Sequence, residues 1–238
     1  MTWTDLAPLR ALGALDLLAV ALLVIPWALI GWRIDHATAK RPSVSMIMAN
    51  YRREWMHRMI ARDVRIFDAQ VIATLRQGTS FFASTSVIAI GGVLALLGNA
   101  DRVAGLAEDL TATRDPAILW EIKLLLIVVF LTNGFLKFVW SNRLFGYCSV
   151  IMAAVPNDVT DPAGPEYARK AGELNVTAAR SFNRGLRSIY MALASVAWLA
   201  GPFALIVASF VTCVIIWRRE FASQSRAALL DDGGKPLI

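Results

Sequence analysis

Residues 120–140 read WEIKLLLIVVFLTNGFLKFVW, a nearly unbroken apolar stretch with tryptophan at both ends. A helix needs roughly 20 mostly apolar residues to cross a hydrocarbon layer about 30 Å thick, and tryptophan favours the two interfaces of that layer. Three further stretches have the same character, at about 12–32 (LGALDLLAVALLVIPWALIGW), 81–98 and 189–217. Four such runs exceed what one soluble core in a 238-residue chain can bury. The expected fold is therefore all-α, a four-span helical membrane protein whose spanning helices extend into a cytoplasmic helical bundle.

Composition agrees. The chain is 57% hydrophobic with a mean hydropathy of +0.54, yet 18% charged residues leave much of it outside the lipid. We expect one membrane domain over 1–238, with helical connections at about 33–80 and 141–188. The first run is longer than a signal-peptide core, only Arg10 precedes it, and no small-residue cleavage pattern follows it, so it reads as a retained span. Cys148 and Cys213 supply no disulfide framework.

Charge orients the spans. The 33–80 connection carries Arg33, Lys40, Arg41, Arg52, Arg53, Arg58, Arg62, Arg65 and Arg76 against Asp35, Glu54, Asp63 and Asp68. The 99–119 connection has Arg102 and Arg114 against Asp101, Glu108, Asp109 and Asp115. Basic connections stay in the cytoplasm, which places 33–80 and 141–188 inside and the N-terminus outside. The fourth run strains this scheme. From Arg187 to Arg218 a helix would extend roughly 45 Å at about 1.5 Å per residue, and Gly201-Pro202 interrupts it near the middle. Either a single tilted or kinked helix puts the tail outside, or a re-entrant hairpin turning at Gly201-Pro202 returns it to the basic side. The single helix is preferred, because each half is only about 15 residues, too short to cross alone.

The connections are patterned. Met56, Ile60, Val64, Phe67, Val71 and Leu75 fall on one side of a helical wheel and Arg58, Arg62, Arg65 and Arg76 on the other. No proline interrupts 43–97, so one long helix is expected to run into the second span. A second amphipathic helix starts at Gly164-Pro165-Glu166 and also runs on into a span.

These residues carry a family likeness. Tyr51-Arg52-Arg53-Glu54-Trp55, then Arg62-Asp63-Val64-Arg65-Ile66-Phe67-Asp68-Ala69-Gln70 and Ser80-Phe81-Phe82-Ala83-Ser84-Thr85-Ser86, resemble the bacterial branch of the membrane family called domain of unknown function 599. The resemblance implies a multi-span membrane protein and carries over no activity, and the expected location is the inner (plasma) membrane.

The residues themselves point to no enzyme. His36 and His57 lack the spacing of a metal site, and the sequence offers no nucleophile elbow or phosphate-binding glycine loop, so no catalytic residue, metal or cofactor is expected. Asp63 and Asp68 read as charge compensation among arginines rather than as an acid pair. Arg58, Arg62, Arg65 and Arg76 are candidates to bind anionic lipid, against the plainer reading that they enforce topology. The pI near 9.7 reflects that same sidedness, and nucleic acid is not expected as a partner.

Within the spans, Asn133, Lys137 and Ser141 share one stripe, which a solute or ion pathway would use. Lys137 lies close enough to Trp140 to snorkel, and Asn133 can bond another helix. Asp16 and Lys123 sit at similar depth near the outer ends of the first and third spans and are candidates for an ion pair. Ala83, Gly91 and Ala95, like Ala200, Ala204 and Ala208, form small-residue stripes suited to helix contact within the subunit, or to a homo-oligomer or another membrane protein. The expected role is a non-catalytic interaction or lipid-contacting module, with a transporter or a membrane enzyme as rivals. The topology is testable: cysteine labels should reach 52–76 and 158–164 from the cytoplasm and 101–115 from outside. Labelling of 52–76 and 101–115 from one side would overturn it.

Overall fold

The computed structural model describes residues 12–99 and 117–231. Among these the chain is helical without strands: α1 (Ala14–Asp35), α2 (Val44–Met59), α3 (Ile66–Leu97), α4 (Ala117–Ala153), α5 (Gly164–Val196), α6 (Pro202–Phe221) and α7 (Gln224–Leu230). Four stretches are long and apolar enough to cross a membrane: α1, α3, α4, and Pro202–Leu230, which is built on α6. The chain is thus an all-α, multi-pass membrane protein. The acidic connection expected outside lies largely at 100–116, outside the described residues.

The described chain divides into two compact units. In the first, made of 12–30, 85–99, 117–134 and 186–216, Trp27 meets Phe130 edge-on at 5.2 Å. Asn133 Nδ2 donates to Ser188 Oγ at 2.6 Å, and Trp198 Nε1 donates to Asp16 Oδ1 at 2.7 Å. The second comprises 31–84, 135–185 and 217–231, with a core of Met56, Met59, Ile72, Phe145, Met152 and Ala171. There α5 lies close against α4, where Ser141 Oγ donates to the Ala178 carbonyl at 2.8 Å and Ser181 Oγ to the Lys137 carbonyl at 2.9 Å. A Cβ on Gly185 would stand 2.6 Å from Phe138 Cε1, so only glycine permits this approach. Phe82 and Phe182 pack around the same ring at 5.4 and 5.5 Å.

Two expectations are corrected. Residues 43–97 do not form one helix, because α2 ends at Met59 and α3 begins at Ile66. The break contains neither proline nor glycine and is held by tertiary bonds. Arg65 donates to the carbonyls of Val155 (2.7 Å), Pro156 (2.8 Å) and Ile60 (3.4 Å), while Asp68 in the first turn of α3 accepts from Trp55 Nε1 (2.6 Å) and from Arg62. The turn resets the helical phase. Met56 and Ile60 are buried as expected, but Val64 and Phe67 are 65% and 67% exposed, and Met59 and Ile72 take their place in the core.

The run at 189–217 is likewise not one helix. It breaks at Gly201, whose φ of +117° suits glycine alone, and α6 starts at Pro202, where a missing N–H costs no helix bond. After α6 the chain lies beside the start of α2. Glu220 accepts from the Ser45 amide (3.1 Å) and hydroxyl (2.9 Å), Arg226 Nε donates to the Pro42 carbonyl (2.9 Å), and Arg33 stands 5.5 Å over the Phe221 ring. The chain thus turns back at Gly201 rather than running on as one kinked helix, and the stretch long and apolar enough to cross a membrane begins at Pro202 rather than at 189. The two arms are unequal, because the second continues to Phe221 and has 20 helical residues rather than about 15.

The glycine contact is testable. Gly185→Ala forces a methyl group against Phe138 and should destabilise by about 1–3 kcal/mol, read as a lower Tm of the purified protein. Phe138→Leu added to it should restore part of the loss.

Candidate functional site

Two cavities lie in the second unit. The larger, about 510 Å³, lies among α2, α5 and the α6–α7 corner, and its wall is mostly polar. The α2 side presents Ser45, Ala49, Arg52 and Arg53, and the α5 side Val176, Ala179, Arg180 and Asn183. Both sets recur at the three- and four-residue spacing of one helical face. Asp35, Arg219 and Glu220 close the rest.

The acids here are already engaged. Asp35 accepts from Arg184 Nε at 2.8 Å, and Glu220 is held by Ser45. Arg53 is held by Glu173 at 2.6 Å and reaches Asn50 at 3.2 Å. The hydrogen bond from Arg53 keeps the Glu173 carboxyl below the usual carboxylate range. Arg52 instead donates to a neutral group, the Asn175 amide oxygen, and burial lowers its guanidinium from the usual arginine value.

The smaller cavity, about 340 Å³, is a groove along α3 and α4. Its floor is apolar, with Met59, Ile72 and Met152. Arg76 and Asn157 bring polar groups to it. The Arg65 guanidinium on its wall is spent on the carbonyls of Val155 and Pro156, whereas the exposed Arg76 guanidinium donates no hydrogen bond to, and forms no ion pair with, the described residues.

The model of the family described as "Protein of unknown function, DUF599" matches residues 18–225. The chain belongs to this family. No curated protein and no solved structure matches it.

In this DUF599 chain the arginines expected on one lipid-facing side have separate fates. Arg58 pairs with Glu54 across one helical turn at 2.6 Å, Arg62 binds buried Asp68, Arg65 caps the end of α4, and Arg76 stands over the groove. The Asn133 and Ser141 side chains and the Lys137 backbone carbonyl bond α5, so Asn133 and Ser141 lie on a helix seam. Asp16 accepts from Trp198 and from the Gly13 amide (3.2 Å), while the buried Lys123 holds its Nζ 4.7 Å from the Trp120 ring centroid. Nothing stands within 4 Å of a Cβ placed on Gly91, so that small-residue stripe is not a helix contact at that position among the described residues. No group of three His, Cys, Asp or Glu side chains gathers among the described residues. Arg52, Asn175, Arg180, Asn183 and Glu220 were not candidates from the sequence. Their helical spacing was visible, but the pairing that leaves some charges unbalanced was not.

Asp68 has a structural role separate from Asp63, which is exposed. Asp68→Ala strands Trp55 Nε1 and Arg62 and should lower stability by about 1–3 kcal/mol. Asp63→Ala should leave the Tm unchanged within about 0.5 kcal/mol.

Proposed function

We propose that the protein is a non-catalytic module of the bacterial inner membrane that contacts anionic lipid through the groove along α3 and α4. The observation that carries this reading is Arg76, a cation without a counter-charge from the described residues, beside a floor of Met59, Ile72 and Met152. An apolar channel with a guanidinium beside it suits an acyl chain and the phosphate to which it is joined. Arg76 precedes the apolar part of α3, which starts at Phe81, by little more than one helical turn, the depth at which headgroups stand.

The positive excess of 33–80 and 141–188 supports a cytoplasmic position for this side and an outward N-terminus. The return of α6 to the start of α2 then brings the tail inside, with the end of α5 and α6 as two arms that leave from and return to that side, and Arg218 and Arg219 agree with the same rule. A transport pathway along Asn133, Lys137 and Ser141 is disfavoured, since α4 and α5 use that stripe to bond each other.

Native mass spectrometry of protein extracted in mild detergent tests the reading. A basic residue at the surface contributes about 1 kcal/mol toward anionic lipid, so Arg76→Gln should reduce retained phosphatidylglycerol about fivefold. Retention equal to that of the unaltered protein would refute the groove as a lipid site.

A further inference from the structure

The larger cavity plays no part in the lipid reading, and its charges do not balance. Its acids are taken: Asp35 by Arg184, and Glu220 by the amide and hydroxyl of Ser45. Of the four arginines on the wall, Arg53 is held by Glu173 and Arg219 is also engaged, which leaves Arg52 and Arg180. Arg52, partly buried, donates to a neutral amide oxygen, and the exposed Arg180 makes no hydrogen bond or ion pair with the described residues. A partly buried cation such as Arg52 without a counter-charge is unfavourable, and the loss is recovered when an anion binds it, while the exposed Arg180 is free to close on the same anion.

The geometry narrows the anion. A guanidinium is a planar fork of donors matched to pairs of oxygens on phosphate or carboxylate. Here the forks come from two helices, Arg52 from α2 and Arg180 from α5, and a tetrahedral phosphate offers oxygens in both directions where a planar carboxylate offers one edge. Asn183 lies three residues beyond Arg180 on the same wall and adds an amide donor, although its Nδ2 now rests 3.3 Å from Ser45 Oγ. The space, about 510 Å³, exceeds a single inorganic ion and suits a phosphate with its substituent.

We infer that this cavity binds a phosphate group, gripped by Arg52 and Arg180 and carried by a lipid headgroup or by a soluble phosphate compound. The inference does not rest on the Arg76 groove, and the two are separable. Thermal unfolding of the full chain tests it, first in detergent with added sodium phosphate against sodium chloride at equal ionic strength. The second arm uses nanodiscs of phosphatidylglycerol against phosphatidylcholine.

A soluble ligand at about a hundred times its Kd should raise the Tm by roughly 5 °C. Arg180→Gln, on an exposed side chain, should abolish the gain, while Arg169→Gln, which breaks only the exposed pair with Glu166, should keep it. A gain from inorganic phosphate identifies the soluble source. A gain only in phosphatidylglycerol, lost in Arg180→Gln, identifies the headgroup. Arg52→Gln should act as Arg180→Gln does, and if it fails to fold Arg180→Gln alone decides. No gain in either arm, or a gain that survives Arg180→Gln, overturns the inference. Lipid retention that falls with Arg76→Gln while neither Tm arm responds to Arg180→Gln would sustain the groove and sink the cavity.

Discussion

The bond of Glu220 to Ser45 at the start of α2 is the interaction on which the α2–α6 corner depends. One residue with φ of +117° ends the three-residue-per-turn segment Ala197–Ala200, and the proline that follows starts a new helix. The 20 residues of α6 then bring Glu220 to the N-terminus of α2, where free amides and the positive end of the helix dipole favour a carboxylate. Glu220 adds to the cap of Ser43, whose hydroxyl accepts from the Met46 amide at 3.2 Å. The same corner supplies Arg219 and Glu220 to the polar cavity.

The second organising element is α5. Its sequence is strongly amphipathic, too polar to be a lipid-facing span, and its partners explain why. Serine hydroxyls at Ser141 and Ser181 reach backbone carbonyls across the α4 seam, each bond contributing about 1 kcal/mol, and Gly185 lets the Phe138 ring approach. On another side Asn175 and Glu173 meet Arg52 and Arg53 of α2. In contrast, α3 keeps most of its apolar surface outward, as lipid contact requires, with Phe81 and Ile88 63% and 76% exposed.

What could be read from the sequence follows from how local each cause is. The runs in α1, α3 and α4 are unbroken and apolar, so their existence is a property of the residues themselves. The break at 60–65 has no local signal, since Arg65 and Asp68 act there through bonds to Pro156, Val155 and Trp55. Gly201-Pro202 was visible as an interruption, but whether it kinks or reverses the chain depends on where Glu220 lands, 19 residues later. The basic character of the connections was legible too. Which arginines are neutralised was not, because Arg62 finds its acid six residues on while Arg53 finds one 120 residues away. Asn133 and Ser141 were visible as a stripe, and their use as a seam required knowing which helix they face.

The central claim is that α6 carries the chain back to α2. In protein with Cys148 and Cys213 replaced by alanine, Ser45→Cys and Glu220→Cys should be joined by a short bis-maleimide in native membranes. Both thiols should also react with an impermeant label from the same side. Failure to crosslink, together with labelling of the two thiols from opposite sides, would contradict the account.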